Sequence, residues 1–196
     1  MLDRAVAEGS DINARIAARV RGLRAELGLS LDALAGKCEV SRSMLSLVER
    51  GEASATAVVL EKIATGLGVP LASLFEDVEG KTSPVSHGKD RTPWRDPQSG
   101  YMRTNISPNH PSPIQIVAVT MPAGARVAYE TGARDALIHQ QIWVQEGAIE
   151  VSVGKVAYRL AADDCLAMKL DAPVTFRNRT KKPARYIVVL AGGGRR

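Results

Sequence analysis

The chain has few of the residues that build metal centres and disulfide frameworks. Its 196 residues include 3 histidines and 2 cysteines. Cys38 and Cys165 lie far apart in the chain, so they predict neither a disulfide framework nor a paired-cysteine zinc site. We expect both thiols to be reduced, buried and inert.

Long apolar runs and a targeting leader are also missing from the sequence. No apolar run approaches the ~18 residues of a membrane-spanning helix, and no charged-then-apolar segment opens the chain. We therefore expect a soluble, cytoplasmic protein with no membrane partner. The length leaves room for one large or two small domains, and an abrupt change of composition near residue 76 favours two.

The net charge of +5 suggests a nucleic-acid partner, but its distribution weakens that interpretation. Residues 1–77 carry 9 Lys and Arg against 11 Asp and Glu, whereas residues 78–196 carry 17 against 10. The basic excess thus lies mostly in the second half. Residues 11–50 carry 7 Lys and Arg against 5 Asp and Glu. A slightly basic segment of this kind can still form a surface that binds phosphate.

Apolar residues recur at helical spacing through most of the first half. The pattern predicts five short helices, which begin near Asp11, Ser30, Ser41, Thr56 and Pro70. Serine, threonine and proline are residues that commonly start helices. The first half is therefore predicted to be a small helical bundle.

The run S-R-S-M-L-S-L-V-E-R-G at residues 41–51 predicts a helix with one apolar and one polar face. With the later segments T-A-V-V-L-E-K-I-A-T-G-L-G-V and L-A-S-L-F, it resembles the phage-repressor type of helix-turn-helix, the XRE family. The resemblance covers residues 12–76 and implies a DNA-binding domain. One departure is Glu39, which stands at a turn position where that family usually has glycine, so we expect a positive φ there.

The resemblance implies that the third helix enters the DNA major groove and that nearby residues contact the phosphates. The side chains nearest to the base edges would be Ser41, Arg42, Ser43 and Ser46. Those nearest to the phosphates would be Ser30, Lys37 and Arg50. Arg42 is the best candidate for a bidentate guanine contact, and Leu47 could contact a thymine methyl group. Alternatively, Arg42 and Arg50 are only solvated surface residues.

One helix-turn-helix module reads only about four base pairs, so we expect a homodimer on a two-fold operator of double-stranded DNA with half-sites ~34 Å apart.

Residues 77–98 are rich in Pro, Gly, Ser and mixed charge, which predicts a linker. Short β-rich runs follow from Tyr101 and predict a sandwich or small barrel over residues 99–192. Two segments, I-W-V-Q-E-G-A-I-E-V-S-V-G-K-V-A-Y-R-L-A-A-D-D and P-V-T-F-R-N-R-T-K-K-P-A-R-Y-I-V-V, resemble the cupin family, a jelly-roll barrel. The fold class expected is thus α + β with two domains, a five-helix bundle and a cupin-like β-barrel.

The metal ligands that the cupin family uses are absent from the corresponding positions. Metal-binding cupins take three histidines and a glutamate, because imidazole and carboxylate suit divalent transition metals. The glutamate position falls on Gln140 and one histidine position on Val174, and Asn178 alone survives from the pattern. His139 alone cannot make a site, so we expect no metal and no cofactor.

The β-rich half could instead hold a small organic ligand in an apolar pocket with one or two amides. Alternation along the strand places Gln140 and Ile142 on one face, and we expect the pocket to be lined by Tyr129, Gln140, Ile142, Met168, Val174 and Phe176. The alternative is that these side chains simply fill the barrel. The leading hypothesis is a transcriptional regulator, a repressor, whose second domain senses a small-molecule effector. A DNA-tethered cupin isomerase or dioxygenase, or a constitutive repressor whose barrel only dimerises, are the alternatives.

Overall fold

The computed structural model describes residues 2–76, 82–130 and 138–192, with side chains from residue 12 onward. The α-helices are α1 (Leu2–Glu26), α2 (Leu31–Cys38), α3 (Arg42–Glu49) and α4 (Ala57–Gly66), and two short 3-10 helices span Leu71–Phe75 and Gly88–Asp90. The strands are β1 (Trp94–Arg95), β2 (Met102–Asn105), β3 (Ile114–Met121), β4 (Arg126–Tyr129), β5 (His139–Glu146), β6 (Ala148–Val153), β7 (Val156–Ala161), β8 (Cys165–Lys169), β9 (Val174–Arg177) and β10 (Ala184–Ala191). None of the described helices is long and apolar enough to cross a membrane.

Side-chain caps begin three of the helices. The hydroxyls of Ser30, Ser41 and Thr56 accept hydrogen bonds from the backbone N–H three residues later, at 3.0, 3.2 and 3.3 Å. Each bond satisfies a donor that has no partner inside the helix. Glu39 ends α2 in the left-handed region with φ of 51°, as the sequence predicts for that turn.

The described part of the bundle has four α-helices, and the expectation of five is wrong. The predicted fifth helix is the 3-10 turn Leu71–Phe75, in which the Ser73 N–H donates to the Pro70 carbonyl at 2.9 Å. A segment of five residues closes only one turn, so the tighter i to i+3 bonding suffices. The first helix also begins at Leu2 rather than near Asp11.

The β-rich half forms two antiparallel sheets rather than the predicted closed barrel. One sheet has the order β1-β2-β3-β10-β5-β8 and the other β4-β9-β6-β7. Within the described ranges no strand pairing joins the two sheets, so they face each other as an open sandwich. The inward side chains of β5, β9 and β10 form the core between them.

The helical bundle packs directly on the sandwich through aromatic side chains. Trp94 is 1% exposed, and its ring meets Phe75 of the bundle at 5.4 Å and Tyr101 of the sandwich at 5.9 Å between centroids. Trp94 starts β1, which lies inside the predicted 77–98 linker. Residues 77–81 of that linker lie outside the described residues.

Asp96 joins the two units by a buried hydrogen bond. Its carboxylate accepts the Ala57 N–H at 2.8 Å, in the first turn of α4, and also the Ser99 N–H at 2.7 Å. Aspartate is favourable there because the helix N-terminus carries partial positive charge. The orientation of α4 against the sandwich is therefore fixed by both apolar packing and a specific polar contact.

The two thiols lie in different environments. Cys38 is buried on α2, and desolvation raises its pKa. Cys165 is exposed on the edge strand β8, so the expectation that both thiols are buried is wrong for this residue. Alternation along β8 turns the side chain of Cys165 away from the core.

Candidate DNA-reading helix and ligand cavity

The helix α3 buries one face and exposes the other. Leu45 and Val48 are in the helical core, whereas Arg42 and Ser43 are exposed near the N-terminal end of the helix. Buried apolar residues at i and i+3 fix which face points outward. The exposed face is therefore polar and accessible at the end that a helix-turn-helix protein turns toward base edges.

The remaining serines and Leu47 of the predicted surface have distinct local roles. The hydroxyls of Ser30 and Ser41 cap the N-termini of α2 and α3. The Ser41 hydroxyl also lies 3.2 Å from that of Ser43. Ser46 accepts a hydrogen bond from the Arg50 guanidinium, and Leu47 is half-buried. Ser41 thus positions the start of α3 in addition to any contact it makes with DNA.

Two arginines of this surface, Arg42 and Arg50, form exposed ion pairs. Arg42 meets Asp32 at 2.9 Å and Arg50 meets Glu52 at 2.8 Å, and all four side chains are at least half exposed. The hydrogen bond between Arg50 and Glu52 raises the pKa of Arg50 and lowers that of Glu52. Exposed pairs contribute little stability, so a phosphate or base can replace the carboxylate at small cost. Lys37 is also exposed, at the end of α2.

A partly buried ion pair that the sequence analysis missed anchors α3 to α1. Arg24 binds the Glu49 carboxylate through two nitrogens, at 2.6 and 2.8 Å, and also donates to the Leu29 carbonyl at 2.9 Å. Arg21 donates to the Glu49 backbone carbonyl. The Glu49 hydrogen bond raises the pKa of Arg24. One signal for this ion pair is present in the sequence: Glu49 directly follows Val48, a residue that faces the core.

Arg19 is similarly committed to structure rather than to phosphate. It donates to the Ser73 carbonyl at 3.0 Å and meets Glu76 at 2.7 Å. Gln115 of β3 reaches the same two residues, with 3.0 Å to the Ser73 hydroxyl. The basic balance of residues 11–50 therefore overstates the charge available to DNA.

A cavity of about 80 Å³ lies between the two sheets and the helical bundle. Of the predicted lining residues, Tyr129, Gln140, Val174 and Phe176 border it. The described residues that line it come from both units, and they are Glu61, Leu71, Ala72, Tyr101, Arg103, Val117, Val119, Met121, Val127, Tyr129, Gln140, Leu170, Val174, Phe176, Tyr186, Val188 and Leu190.

Two of the predicted lining residues lie elsewhere. Ile142 faces inward, as the alternation indicates, but it is fully buried in the core and does not border the cavity. Met168 pairs with Gln140 across the sheet, yet it belongs to the edge strand β8 and is only partly buried. Alternation predicts the face of a residue but not how far along the strand the cavity extends.

The cavity wall is apolar apart from a small group of polar side chains. The hydroxyls of Tyr101 and Tyr129 lie 2.9 Å apart, and the Arg103 guanidinium lies 4.4 Å from the centroid of the Phe75 ring. Burial is the main cause that raises the pKa of Tyr101, Tyr129 and Tyr186. These hydroxyls therefore stay protonated near neutral pH and can donate or accept hydrogen bonds.

Asn178, the residue that survives from the cupin metal pattern, has a structural role. Its amide donates to the Met121 carbonyl at 3.1 Å and the Lys182 carbonyl at 2.8 Å, and its carbonyl accepts the Thr180 N–H at 2.9 Å. Over the described residues, no three His, Cys, Asp or Glu side chains group closely enough to hold a metal ion.

Comparisons with known proteins identify a helix-turn-helix in the first half of the chain. A family model described as Helix-turn-helix matches residues 20–74. The control protein C.MunI of Mycoplasma sp is 37% identical over 71 residues, which cover 36% of this chain and 96% of that protein. The regulator SutR of Escherichia coli is 27% identical over 169 residues, covering 85% of this chain and 89% of that one.

One solved structure is similar over nearly the whole length of the chain. It is an HTH_3 family transcriptional regulator from Vibrio cholerae, with a TM-score of 0.73, 25% identity, and coverage of 93% of this chain and 98% of that chain. The arrangement of a helical unit followed by a β sandwich is therefore shared between the two proteins.

Proposed function

Because the chain belongs to the helix-turn-helix family of DNA-binding transcriptional regulators, we propose that it represses transcription through α3 under the control of a small organic effector. The observation that carries this proposal is the exposed polar face of α3, held in place by the Ser41 cap and the Arg24–Glu49 pair. A helix offered to the major groove needs such rigid support, because base contacts depend on its orientation.

Base reading is proposed for Arg42, Ser43 and Ser46, with Ser41 at the start of the helix. Arg42 has the planar fork that matches the two acceptors of guanine. Leu47 is half-buried, and its exposed part offers a methyl contact to thymine. Ser30, Lys37 and Arg50 flank this face and are proposed to bind phosphates.

A homodimer on a two-fold operator follows from the small footprint of one helix-turn-helix. The outer face of the larger sheet is a suitable interface because cross-strand partners place Ala118, Ile187 and Trp143 in one apolar row. Trp143 is 46% exposed, an unusual amount for a large aromatic residue. The proposed interface therefore lies on the side of the sheet opposite to the cavity.

The substitution Trp143→Glu tests that interface, and we expect it to convert a dimer to a monomer. A carboxylate in the centre of an apolar interface would lose its hydration on association. Light scattering after size-exclusion chromatography measures the mass, with Tyr158→Glu on the other sheet as the matched control. A wild-type monomer at micromolar concentration, or a dimeric Trp143→Glu variant, would contradict the interface.

The test of DNA binding is a gel shift with the DNA upstream of the protein's own gene. We expect a specific complex that survives competitor DNA and weakens steeply as salt rises. Absence of any shift at low salt would refute operator binding. DNase footprinting would then show whether protection is two-fold symmetric, with half-sites about one helical turn apart.

The effector site is proposed to be the cavity between the sheets and the bundle. Tyr129, Gln140, Val174 and Phe176 offer apolar surface with two polar groups, as small-molecule sites do. A thermal-shift screen of metabolites on the full chain tests it, with Val174→Phe as a variant that fills the cavity. A screen in which no metabolite raises the melting temperature would favour the constitutive repressor.

The enzymatic alternative, a cupin isomerase or dioxygenase tethered to DNA, has less support. The similar proteins named above are regulators, and the positions that carry metal ligands in cupins hold Gln140 and Val174. Stoichiometric metal in the purified protein would revive it.

A further inference from the structure

A second, larger opening lies at the junction of the helical bundle, residues 82–92 and the sandwich. This cleft has a volume of about 750 Å³, within the ~300–1,000 Å³ of pockets that hold small organic ligands. Arg15 of α1 borders it on the bundle side, and Arg103 and Asn105 of β2 border it on the sandwich side. Its described lining shares only Arg103 with that of the proposed effector cavity. The cleft is therefore a separate candidate site.

Three arginines border the cleft and form no ion pair with any described residue. Arg103 is 8% exposed, and its guanidinium lies 4.4 Å from the centroid of the Phe75 ring. Arg91 is half-buried and donates to the hydroxyl of Ser86 at 3.2 Å and to its carbonyl at 2.9 Å. Arg15 is also half-buried. Charges that are partly removed from water without a counter-charge are costly, so these side chains favour an anion beside them.

The acidic side chains near the cleft do not cancel this charge. Glu76 is already bound by Arg19 at 2.7 Å, and Asp90 is exposed. Asp90 can offset one arginine of the cleft, and Glu61 of the neighbouring cavity can offset Arg103. One of the three arginines still lacks a carboxylate after this count. The cleft is therefore positive, which raises the local concentration of anions.

Buried polar atoms that lack a hydrogen bond also lie at this cleft. Within the part of the chain that the structure describes, they are Nε of Arg15, Oδ1 of Asn105 and Oε1 of Gln115, and all three side chains border the cleft. The amide nitrogen of Gln115 donates to Ser73 and Glu76, so its carbonyl oxygen is the atom without a partner. Native proteins leave few buried polar atoms unpaired, so three at one place indicate a missing partner.

The types of these atoms limit the class of ligand. Nε of Arg15 is a donor, and a guanidinium matches the geometry of carboxylate and phosphate oxygens. The carbonyl oxygens of Asn105 and Gln115 are acceptors and need a ligand group that donates, as a hydroxyl does. The terminal torsion of Asn105 has a broad minimum, so its oxygen can turn into the cleft at small cost. An anion with hydroxyl groups satisfies both kinds of atom, whereas an uncharged sugar or an anion without hydroxyls satisfies only one.

We propose that the cleft binds a small hydroxylated organic anion, with Arg15 and Arg91 holding the anionic group and the carbonyl oxygens of Asn105 and Gln115 accepting its hydroxyls. Phosphate monoesters of sugars and hydroxylated carboxylates share this chemistry. The site goes beyond the proposed effector cavity, and its occupancy does not require DNA. Because Arg15 lies on α1 and Asn105 on β2, the bound anion joins the helical bundle to the sandwich.

The first experiment measures binding to the full wild-type chain without DNA, by isothermal titration calorimetry at constant ionic strength. The probes are glucose 6-phosphate, glycerol 3-phosphate and tartrate. Propyl phosphate and succinate are the analogues without hydroxyls, and glucose is the analogue without charge. We expect at least one probe to bind at least about tenfold more tightly than its analogues, because they lack either the charge-assisted or the hydroxyl hydrogen bonds. The preference for a phosphate or for tartrate distinguishes the two sources of the anion, and equal binding of the analogues, or no binding of any probe, would overturn the proposal.

The second experiment uses Arg15→Gln and Arg91→Gln, which remove one charge each, and Asn105→Asp, which adds a negative charge at nearly constant size. We expect each to weaken binding of the tightest probe by about tenfold or more. The matched control is Lys89→Gln, because Lys89 lies two positions from Arg91 but does not border the cleft. Circular dichroism establishes that the variants are folded. Unchanged affinity in the folded variants, or an equal loss in Lys89→Gln, would contradict the assigned contacts.

Failure of this inference is distinguishable from failure of the proposed function. A gel shift without any of these anions reports operator binding alone. The variant Val174→Phe fills the smaller cavity, which Val174 borders, and should leave anion binding at the cleft unchanged. Loss of anion binding in folded Val174→Phe would assign the ligand to the cavity and overturn the cleft as its site.

Discussion

Arginine residues of the helical unit serve two different purposes, and burial of their partners decides which. Arg24 is held by two nitrogens on Glu49, whose side chain is only 7% exposed. Arg42 meets the exposed Asp32 and can exchange that partner. The two residues are chemically identical in the sequence, but of the two it is Arg42, the proposed base-reading residue, whose side chain is exposed.

Arg42→Gln and Lys37→Gln are expected to weaken operator binding in different ways. Loss of a bidentate guanine contact costs about 1–3 kcal/mol and relaxes specificity at one base pair. Loss of a phosphate contact weakens all sequences alike and reduces the slope of log affinity against log salt by about one. Titrations of operator and scrambled DNA at several salt concentrations measure both effects. Arg185→Gln on the sandwich is the control, and equal losses on both DNAs for Arg42→Gln would contradict base reading.

Glu150 is expected to make the stability of the sandwich sensitive to acid. Its hydrogen bonds with Arg179, at 2.8 to 3.0 Å, lower its pKa from the ordinary 4.5. The folded state therefore binds fewer protons than the unfolded state. The pair stabilises the fold at a pH above the ordinary pKa of Glu150, and this contribution is lost as the pH falls through the lowered pKa of the folded state.

The substitution Glu150→Gln should therefore flatten the decline of the melting temperature between about pH 5 and pH 3. Thermal unfolding across that range measures it. Glu146→Gln is the matched control, because the nearest Arg185 nitrogen is 3.8 Å away. An identical pH profile for wild type and Glu150→Gln would refute the contribution of the pair.

At the scale of the secondary-structure element, α3 is a short helix that depends on its surroundings. Its eight residues are too few for stability in isolation. Ser41 fixes its start, Leu45 and Val48 bury one face, and Glu49 joins its end to α1. The orientation of the reading face is therefore determined by contacts at both ends of the helix.

The substitution Glu49→Gln should destabilise the helical unit by about 1–3 kcal/mol, because the partly buried Arg24 loses its charged partner. Urea unfolding followed by circular dichroism measures the change. Glu52→Gln, at the exposed Arg50 pair, is the control and should have little effect. A Glu49→Gln protein as stable as wild type would show that apolar packing alone positions α3.

At the scale of the whole molecule, the helical bundle and the sandwich meet through specific buried contacts. Trp94 fills it between Phe75 and Tyr101, and Asp96 is 2% exposed beneath the first turn of α4. The segment predicted as a linker thus contains the residues that join the two units. Such an interface would transmit the binding of the proposed effector from the cavity to the helical unit.

The substitution Asp96→Ala should separate the unfolding of the two units. It removes the acceptor for the Ala57 N–H at the start of α4, at a cost of about 1–2 kcal/mol typical of a lost helix cap. Differential scanning calorimetry should then show a broader or divided transition. Asp90→Ala, at an exposed aspartate of the same segment, is the control. A single transition at the wild-type temperature would contradict the coupling.

Much of the helical unit could be predicted from the sequence because its signals are local. The caps at Ser30, Ser41 and Thr56 and the positive φ at Glu39 depend on residues only a few positions away. The Pro70 segment was misjudged because five residues cannot show a helical period. In the sandwich, alternation correctly places Gln140 and Ile142 on the buried face, but closure of a barrel depends on pairing between distant strands.

The sequence by itself determined that the chain has a helix-turn-helix whose third helix has a polar face, followed by a β-rich unit without the cupin metal ligands. These features follow from residue types and short spacings. Only the tertiary structure decided that Arg24 and Arg19 are structural, that Trp94 and Asp96 join the units, and that Glu61 and Arg103 border one cavity. The reason is physical: these contacts join residues 25 to 57 positions apart or on separate units, and no local spacing specifies which buried charges will meet.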